Sequence, residues 1–357
     1  TIDVGVKVER VSDFLAAMGI DEEVEISGLP MGPIRMASAF EGDGVRLWGV
    51  ERHGTREFDA SSDPDRCLAA MSWFDRFRRR PRDWDDEQEG WRHLHDRLRR
   101  SVEDLGPDAA CDVFFAAERE YWQRRNRAAQ VQKSRQDQLG LGWANHDHHT
   151  YRSSRAAFKD LVEALEILGF HCRERFYAGN EAGWGAQVLE QPTCGIVIFA
   201  DVDLDEAEIA GDFAHDGLSA RDDLGTVGLW VGLHGESMLK AGLHHLECQF
   251  DHQALRRQLQ AAGIETMDSF TKLPYLRQAF TEGERWTVDE KRVGRLLEKN
   301  LITTKQADEF RKQGAIGSHL ENLQREDGYK GFNQQGVSDI IARTDPRKQA
   351  SEQPVGA

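Results

Sequence analysis

Two strand-like segments of the sequence each contain a pair of adjacent histidines. The segment NHDHHTYR carries His148 and His149, and the segment GLHHLECQ carries His244 and His245. Neutral imidazoles brought together from two strands are a common binding site for a divalent transition metal. The pairs therefore predict a metal centre. The alternative is that all four histidines are structural residues of a core or a surface.

The alternation of side chains along a strand indicates which histidines face the same way. His148 should share a face with His146, Thr150 and Arg152, a set that is polar throughout. His245 lies on the polar side of its own segment, opposite an apolar side suited to packing against a helix. We therefore expect His148 and His245 to meet in a polar interior.

Two histidines in an iron site are usually joined by one carboxylate, which leaves three coordination positions open. The later part of the sequence offers Glu247, Glu282 and Glu321 as this carboxylate. Periodicity alone does not distinguish among the three.

The elements around the histidines repeat along the chain. From residue 141 the hydrophobic pattern predicts strand, helix, strand, strand and strand, and strand, helix and strand recur about 97 residues later. We predict an α+β fold of two paired βαβββ modules, at 141–235 and at 236–345, the second with a helical insertion. The apolar run at 225–233, GTVGLWVGL, is interpreted as strand-sized.

The first 140 residues have a different character. Residues 1–62 contain short β-prone runs separated by MGP and EGDG, and they predict a small antiparallel meander. Residues 63–140 place apolar residues three or four apart and predict a helical region. His53 and Arg56 lie three residues apart in VERHGTREF, and we interpret His53 as a surface residue of the meander.

Composition excludes several classes of function. The 357 residues include 46 Lys and Arg against 62 Asp and Glu, a net charge of −16, which disfavours binding to nucleic acid or to an anionic membrane. No apolar run reaches the roughly 20 residues of a membrane helix. Five scattered cysteines favour reduced, structural thiols, and without a visible secretory signal we expect a cytoplasmic protein. Residues 346–357 predict a flexible tail, and the sequence does not indicate an oligomeric state.

The histidine segments resemble the 2-oxoadipate dioxygenase/decarboxylase family over about residues 143–348. NHDHHTYRSS, with a histidine four residues before an arginine, is similar to the family's first histidine strand and selects His148 and Arg152. GLHHLECQF is similar to its second histidine strand and selects His245. GSHLENLQ is similar to its glutamate strand and selects Glu321, and REDGYKGFNQQGVSDIIARTDPRKQ resembles its closing segment.

The resemblance implies a fold and a reaction. The family's fold is related to the vicinal oxygen chelate superfamily, in which paired βαβββ modules form a cup. Its members use Fe(II) and O₂ to convert a 2-oxo acid to a shorter 2-hydroxy acid and CO₂. The implied roles are metal ligation by His148, His245 and Glu321, binding of a substrate carboxylate by Arg152, and support of the ligands by His146 and His149.

Other functions are compatible with the same residues. A metal-dependent isomerase, lyase or ring-cleaving enzyme of this fold would use the same cup, and a non-catalytic protein would bind a small molecule there. Arg152 has a structural salt bridge as its alternative role. Ser153 follows Arg152 where the family often has Thr, and Asp147 precedes His148 where it has Asn. These departures leave the substrate open.

Overall fold

The computed structural model describes residues 1–20, 23–59, 61–267, 273, 275–326 and 345–349. The elements before the first histidine strand are β1 (Ile2–Lys7), α1 (Val11–Ala17), β2 (Ile34–Gly42), β3 (Val45–Arg52), α2 (Pro64–Arg78), α3 (Glu87–Leu105), α4 (Pro107–Gln123) and α5 (Arg127–Asp137). The next are β4 (His146–Arg152), α6 (Phe158–Ile167), β5 (His171–Tyr177), β6 (Trp184–Gln191), β7 (Ile196–Asp203) and α7 (Thr226–His234). The last are β8 (His245–Gln249), α8 (His252–Ala261), β9 (Leu276–Phe280), β10 (Glu284–Trp286), α9 (Glu290–Glu298), α10 (Thr304–Gln313), β11 (Ala315–Arg325) and α11 (Pro346–Gln349).

The N-terminal sheet differs from the predicted antiparallel meander. Its order is β1-β3-β2, and β1 runs parallel to β3. The predicted strand EVEISGL contributes only a single bridge, between Ser27 and Met36. The sequence did not indicate β1, because this edge strand has mostly exposed side chains and its sequence therefore lacks a clear buried face.

The helical region is confirmed as the four helices α2 to α5. The side chains of Asp63, Asp86 and Asn126 accept hydrogen bonds from the first turns of α2, α3 and α5, and thereby satisfy amide groups that have no partner within the helix. Pro107 begins α4, where its missing amide hydrogen is not needed. The spacing of apolar residues in the sequence was therefore sufficient to predict these helices.

The paired βαβββ modules are confirmed by the topology of the large sheet, and the fold class is α+β. The strand order is β10-β11-β8-β4-β7-β6-β5, with β9 also paired to β11. In each module the first strand runs parallel to the last, β4 with β7 and β8 with β11. β6 is antiparallel to β7, as β9 and β10 are to β11. The antiparallel pair β4 and β8 joins the modules.

The run at 225–233 lies almost entirely in the helix α7 (Thr226–His234) and does not form the expected strand. Eight of its nine residues are buried, because the helix lies between β7 and the helices α9 and α11. An apolar run that is buried on every side has no amphipathic period, so its length of nine residues suited a strand equally well. Asp203 fixes the start of α7 by accepting hydrogen bonds from the amides of Gly225, Val227 and Gly228, each at 2.9 Å.

The two faces of the large sheet have different neighbours. We call the face that carries His148 the histidine face. On the opposite face, Trp122 of α4 donates a hydrogen bond to the hydroxyl of Ser318 at 2.6 Å. Gln132 of α5 donates to Asn322 at 3.3 Å. The N-terminal helices therefore support the sheet from behind the histidine face.

The C-terminal segment departs from the predicted tail, because residues 346–349 form the short helix α11. Arg347 and buried Asp345 form an ion pair at 2.7 Å next to Thr226 at the start of α7. Residues 327–344, which hold most of the predicted closing segment, and residues 350–357 lie outside the described residues. The division of the chain into units at residues 62, 140 and 235 stays a prediction. Among the described helices, none has both the length and the apolar character that crossing a membrane requires.

The interpretation of His53 as a surface residue is wrong. Its Nδ1 lies 2.8 Å from Asp112 Oδ2 of α4, its Nε2 lies 3.0 Å from Glu51 Oε1, and its side chain is 16% exposed. Burial alone would lower the pKa of His53, but the hydrogen bonds to Asp112 and Glu51 raise it from 6.5 to about 10. His53 is therefore an imidazolium that joins the N-terminal sheet to α4.

This ion triad predicts a pH dependence of stability. The pKa of His53 is higher in the folded than in the unfolded chain, so its contribution is complete below 6.5 and is lost as the pH rises towards about 10. The wild type should therefore exceed His53→Gln in unfolding free energy by more at about pH 6 than at about pH 9.5, in urea titrations. His93→Gln, which removes an exposed histidine of α3, is the control. An equal difference at both pH values would contradict the assignment.

Packing of Trp286 against β11 gives a second prediction. A methyl group added at Gly317 would overlap the ring of Trp286, whereas one added at Gly294 in α9 meets open space. Gly317→Ala should lower the unfolding free energy by about 1–3 kcal/mol through overpacking. Gly294→Ala should raise it by about 0.5–1 kcal/mol, because alanine favours the helix. Denaturant unfolding of both variants checks the pair, and equal effects would refute the contact.

Candidate metal centre

Side chains from three strands converge on the histidine face: His148 of β4, His245 of β8 and Glu321 of β11. The two Nε2 atoms are 3.1 Å apart. Glu321 Oε2 lies 3.2 Å from His245 Nε2 and 3.8 Å from His148 Nε2. Three mutually cis ligands about 2.1 Å from one ion would be about 3.0 Å apart, so these spacings fit a shared divalent metal.

The strand register brings these residues together. Across the antiparallel joint, His148 pairs with Glu247 and Thr150 pairs with His245. A shift of 97 residues takes His148 to His245, so the two histidines occupy equivalent places in the two modules. The parallel pairing of β8 with β11 then sets Glu321 opposite Glu247.

The two modules differ at one decisive position. Thr150 pairs with Phe199 in the first module as Glu247 pairs with Glu321 in the second, so Phe199 occupies the place of Glu321. The Phe199 ring packs against His148 with centroids 4.8 Å apart. The duplication therefore provides two histidines but one carboxylate at the equivalent strand position.

The three candidate carboxylates are separated by the structure. Glu321 faces both Nε2 atoms, whereas Glu247 Oε1 lies 3.5 Å from Nδ1 of His148. Glu282 is exposed. A carboxylate on the second ring nitrogen is the usual device that orients a metal-binding histidine. The geometry therefore favours Glu321 as the metal ligand and Glu247 as a residue that orients His148.

The surroundings of the three donors are polar and negatively charged. Gln278 of β9 donates a hydrogen bond to Glu321 Oε1 at 3.0 Å. Burial raises the pKa of Glu321 well above its ordinary value, and the nearby charge of Glu247 raises it further. Glu247 also has one buried oxygen without a hydrogen-bond partner among the described residues. A bound divalent cation would offset the cost of burying these carboxylates.

Arg152 lies on the histidine face two strand residues beyond Thr150. It is buried, its Nε lies 3.8 Å from Asp201 Oδ2, and its guanidinium is 5.5 Å from the ring centre of Trp230. The buried Nε of Arg152 has no hydrogen-bond partner among the residues that the structure describes. Burial raises the pKa of Asp201 to about 7, so Asp201 is an incomplete counterion at neutral pH.

His146 and His149 do not lie beside the three donors on the histidine face. A bulge between His146 and His148 interrupts the alternation of β4, and the His146 ring packs against His149 with centroids 5.2 Å apart. His149 receives a hydrogen bond from Arg119 of α4 at 3.4 Å. Within the described chain, neither ring is hydrogen-bonded to His148, His245 or Glu321, so the expected support comes from other groups.

One further histidine belongs to the site and was missed in the sequence. His319 is buried, stacks on His245 with ring centroids 5.0 Å apart, and has no hydrogen-bond partner at either ring nitrogen among the described residues. It lies two residues before Glu321 on β11 and therefore on the same face. The period of two in GSHLENLQ could have indicated it.

Comparisons with known proteins concern the fold. No family model matches the sequence, and no curated protein does. Among solved structures, a glyoxalase superfamily protein from Ralstonia eutropha has a TM-score of 0.41 at 10% identity, covering 75% of this chain and 97% of its own. A mutant of 4-hydroxymandelate synthase from Streptomyces coelicolor has a TM-score of 0.33 at 11% identity, covering 95% and 94%. Methylmalonyl-CoA epimerase from Mycobacterium tuberculosis has a TM-score of 0.28 at 15% identity, covering 51% and 89%. Likenesses of this size carry no argument about the reaction.

The geometry predicts stoichiometric metal binding that depends on three side chains. Protein purified anaerobically and supplied with Fe(II) should hold about one ion per chain by elemental analysis. His148→Ala, His245→Ala and Glu321→Gln should each lose most of it, because two donors alone bind weakly. The matched control is His215→Ala, since His215 lies near Glu166 and Asp212 in a separate exposed cluster. Loss of metal in the control but not in the three variants would place the ion elsewhere.

Proposed function

We propose that this protein is a non-haem Fe(II)-dependent dioxygenase that converts a 2-oxo acid, with O₂, to a shorter 2-hydroxy acid and CO₂. The observation that carries the proposal is the convergence of His148, His245 and Glu321 on one face of the sheet. Two imidazoles and one carboxylate are the donor set of non-haem iron oxygenases, which keep positions open for substrate and O₂. The sequence resemblance to the 2-oxoadipate dioxygenase/decarboxylase family supports the choice of reaction.

The donor set fits iron in its chemistry. Both imidazoles present Nε2 to the shared point, and Glu321 presents one oxygen while Gln278 holds the other. Fe(II) bound there would supply the electrons that activate O₂ and a Lewis acid for the 2-oxo carboxylate. The protein's part is to hold the ligands in one orientation, as Asp147 and Glu247, 3.4 and 3.5 Å from Nδ1, would do for His148.

Arg152 supports an anionic substrate. It is a buried cation whose only close carboxylate, at 3.8 Å among the described residues, belongs to Asp201, itself about half ionised at neutral pH. A substrate carboxylate would provide the paired hydrogen bonds that a guanidinium fork is shaped for. Burial lowers the pKa of His319 and of His245, and the charge of Arg152 lowers both further, so Arg152 lies within electrostatic reach of the proposed ligand His245.

The helix α7 would shield this part of the site from water. Trp230 lies over Arg152, and its indole nitrogen donates a hydrogen bond to the carbonyl of Gly317 at 2.9 Å. Trp230 thus ties α7 to the strand that carries Glu321. Excluding water strengthens the electrostatic attraction between Arg152 and a bound carboxylate.

One observation favours a second function, a metal-dependent isomerase or lyase. Glu247 is buried beside His148 and has an oxygen without a hydrogen-bond partner in the described chain. A carboxylate next to a metal-bound substrate could act as a general base and move a proton. This reaction would need the same ligands but no O₂.

Oxygen consumption tests the proposal and separates these functions. The Fe(II)-loaded protein should consume O₂ in proportion to added 2-oxo acid, from a panel of mono- and dicarboxylic 2-oxo acids, and release an equal amount of CO₂. His245→Ala should be inactive. Metal binding without O₂ uptake, combined with solvent deuterium exchange into a substrate by NMR, would instead support the isomerase. Ligand binding without metal would leave a non-catalytic binding protein.

Arg152 gives the sharper kinetic prediction. Arg152→Lys should raise KM about ten- to a hundredfold, because it removes paired charge-assisted hydrogen bonds worth about 1.5–3 kcal/mol, and should change kcat less. Metal content should remain as in the wild type. Arg173→Lys, at a half-exposed ion pair of β5, is the matched control. An unchanged KM with a lowered unfolding free energy would assign Arg152 a structural salt bridge instead.

A further inference from the structure

A cavity of about 330 Å³ lies away from the metal centre, between the N-terminal sheet, α4 and the turn that joins β6 to β7. We call it the basic cavity, because Lys7, Arg52, Arg56 and Arg119 line it. Its volume is at the lower end of the range for small-molecule sites, about 300–1,000 Å³. None of the functions considered above uses it.

The four cations of the basic cavity have no ion-pair partner within the described chain. The two carboxylates that also line the cavity are already committed to other groups. Asp112 pairs with the His53 imidazolium at 2.8 Å, and Glu9 pairs with Lys133 at 3.1 Å. The cavity therefore carries an excess of positive charge in a chain whose net charge is −16.

Arg119 is the most informative of the four. It is 7% exposed and extends from α4, and its Nε has no hydrogen-bond partner among the described residues. Among the described residues, the one hydrogen bond of the Arg119 side chain goes to the neutral ring of His149. An unpaired buried guanidinium is costly unless an anion accompanies it.

Like charges in the cavity also act on one another. Desolvation lowers the pKa of Lys7, and the positive charge of Arg119 lowers it further. An oxyanion between Lys7 and Arg119 would offset the repulsion between their positive charges. Guanidinium groups hold carboxylate and phosphate oxygens in pairs, and a lysine adds a compact charge.

The mouth of the cavity adds an apolar surface. Phe58 is 77% exposed, and the guanidinium of Arg52 lies 4.4 Å from the centre of its ring. Trp143 lines the cavity as well. A ligand with an oxyanion group and a short apolar or aromatic part would match both surfaces.

We propose that the basic cavity is a second binding site, for a small organic molecule that carries a carboxylate or phosphate group. The oxyanion lies among Lys7, Arg56 and Arg119, and the remainder of the molecule lies against Phe58. The site is separate from the metal centre, because Arg119 and His149 are on the opposite side of β4 from His148.

Isothermal titration calorimetry of the full chain tests the proposal with two probes, inorganic phosphate and succinate, at constant ionic strength. Saturable binding of phosphate alone identifies a phosphoryl ligand, binding of succinate alone a carboxylate ligand, and binding of both a general oxyanion site. Binding of neither probe overturns the proposal. Binding should persist in His245→Ala, which excludes an anion held by a metal ion.

Variants locate the binding. Lys7→Ala and Arg56→Ala, both at exposed positions, should each weaken binding about tenfold without affecting the fold. Arg119→Lys keeps the charge but removes the fork, and should weaken binding by a similar factor. Lys159→Ala, which removes an exposed cation of α6, is the matched control. Equal weakening in the control, or none in the cavity variants, would refute the site even if the probes bind.

Discussion

The antiparallel pairing of β4 with β8 is the constraint on which the rest of the structure depends. It sets Thr150 opposite His245 and brings two histidines 97 residues apart within 3.1 Å. Backbone hydrogen bonds fix the register, among them one from the amide of His244 to the carbonyl of Thr150 at 2.9 Å. A slip of one residue would turn every donor on one strand to the opposite face. The helices and the remaining strands hold this single register.

The fold must also accommodate the buried negative charges of the site. Asp147, Glu247 and Glu321 lie close together in a largely buried region, and among the described arginines and lysines only Arg325 pairs with one of them, Asp147. Buried carboxylates are costly unless a cation or several hydrogen bonds accompany them. A divalent ion would satisfy this requirement, so metal binding and stability should be coupled. Packing of α4 and α5 behind the sheet provides the apolar burial that offsets the cost of such a polar face.

Much of this arrangement could be predicted from the sequence, and the failures have physical reasons. Strand alternation was enough to choose His148 and His245, because both lie on a face that remains regular. It failed for His146, because a β-bulge shifts the alternation and a single sequence does not reveal bulges. The choice of Glu321 required either the family resemblance or the register of β8 with β11. α7 was interpreted as a strand because complete burial removes the helical period.

No function could be predicted for the first 140 residues from the sequence, because their charged residues come together only in the folded chain. His53 and Arg56 lie just after β3, Arg119 lies in α4 and His146 in β4, yet all four line one cavity. β4 then separates the metal centre from the basic cavity, with His148 on one face and His149 on the other. Arg119 connects the two sites, because its guanidinium would have to hydrogen-bond both His149 and an anion in the cavity. Any effect of such an anion on metal affinity must be matched by an equal effect of the metal on anion affinity. The N-terminal region would in that case act on the metal centre through the strand that it supports.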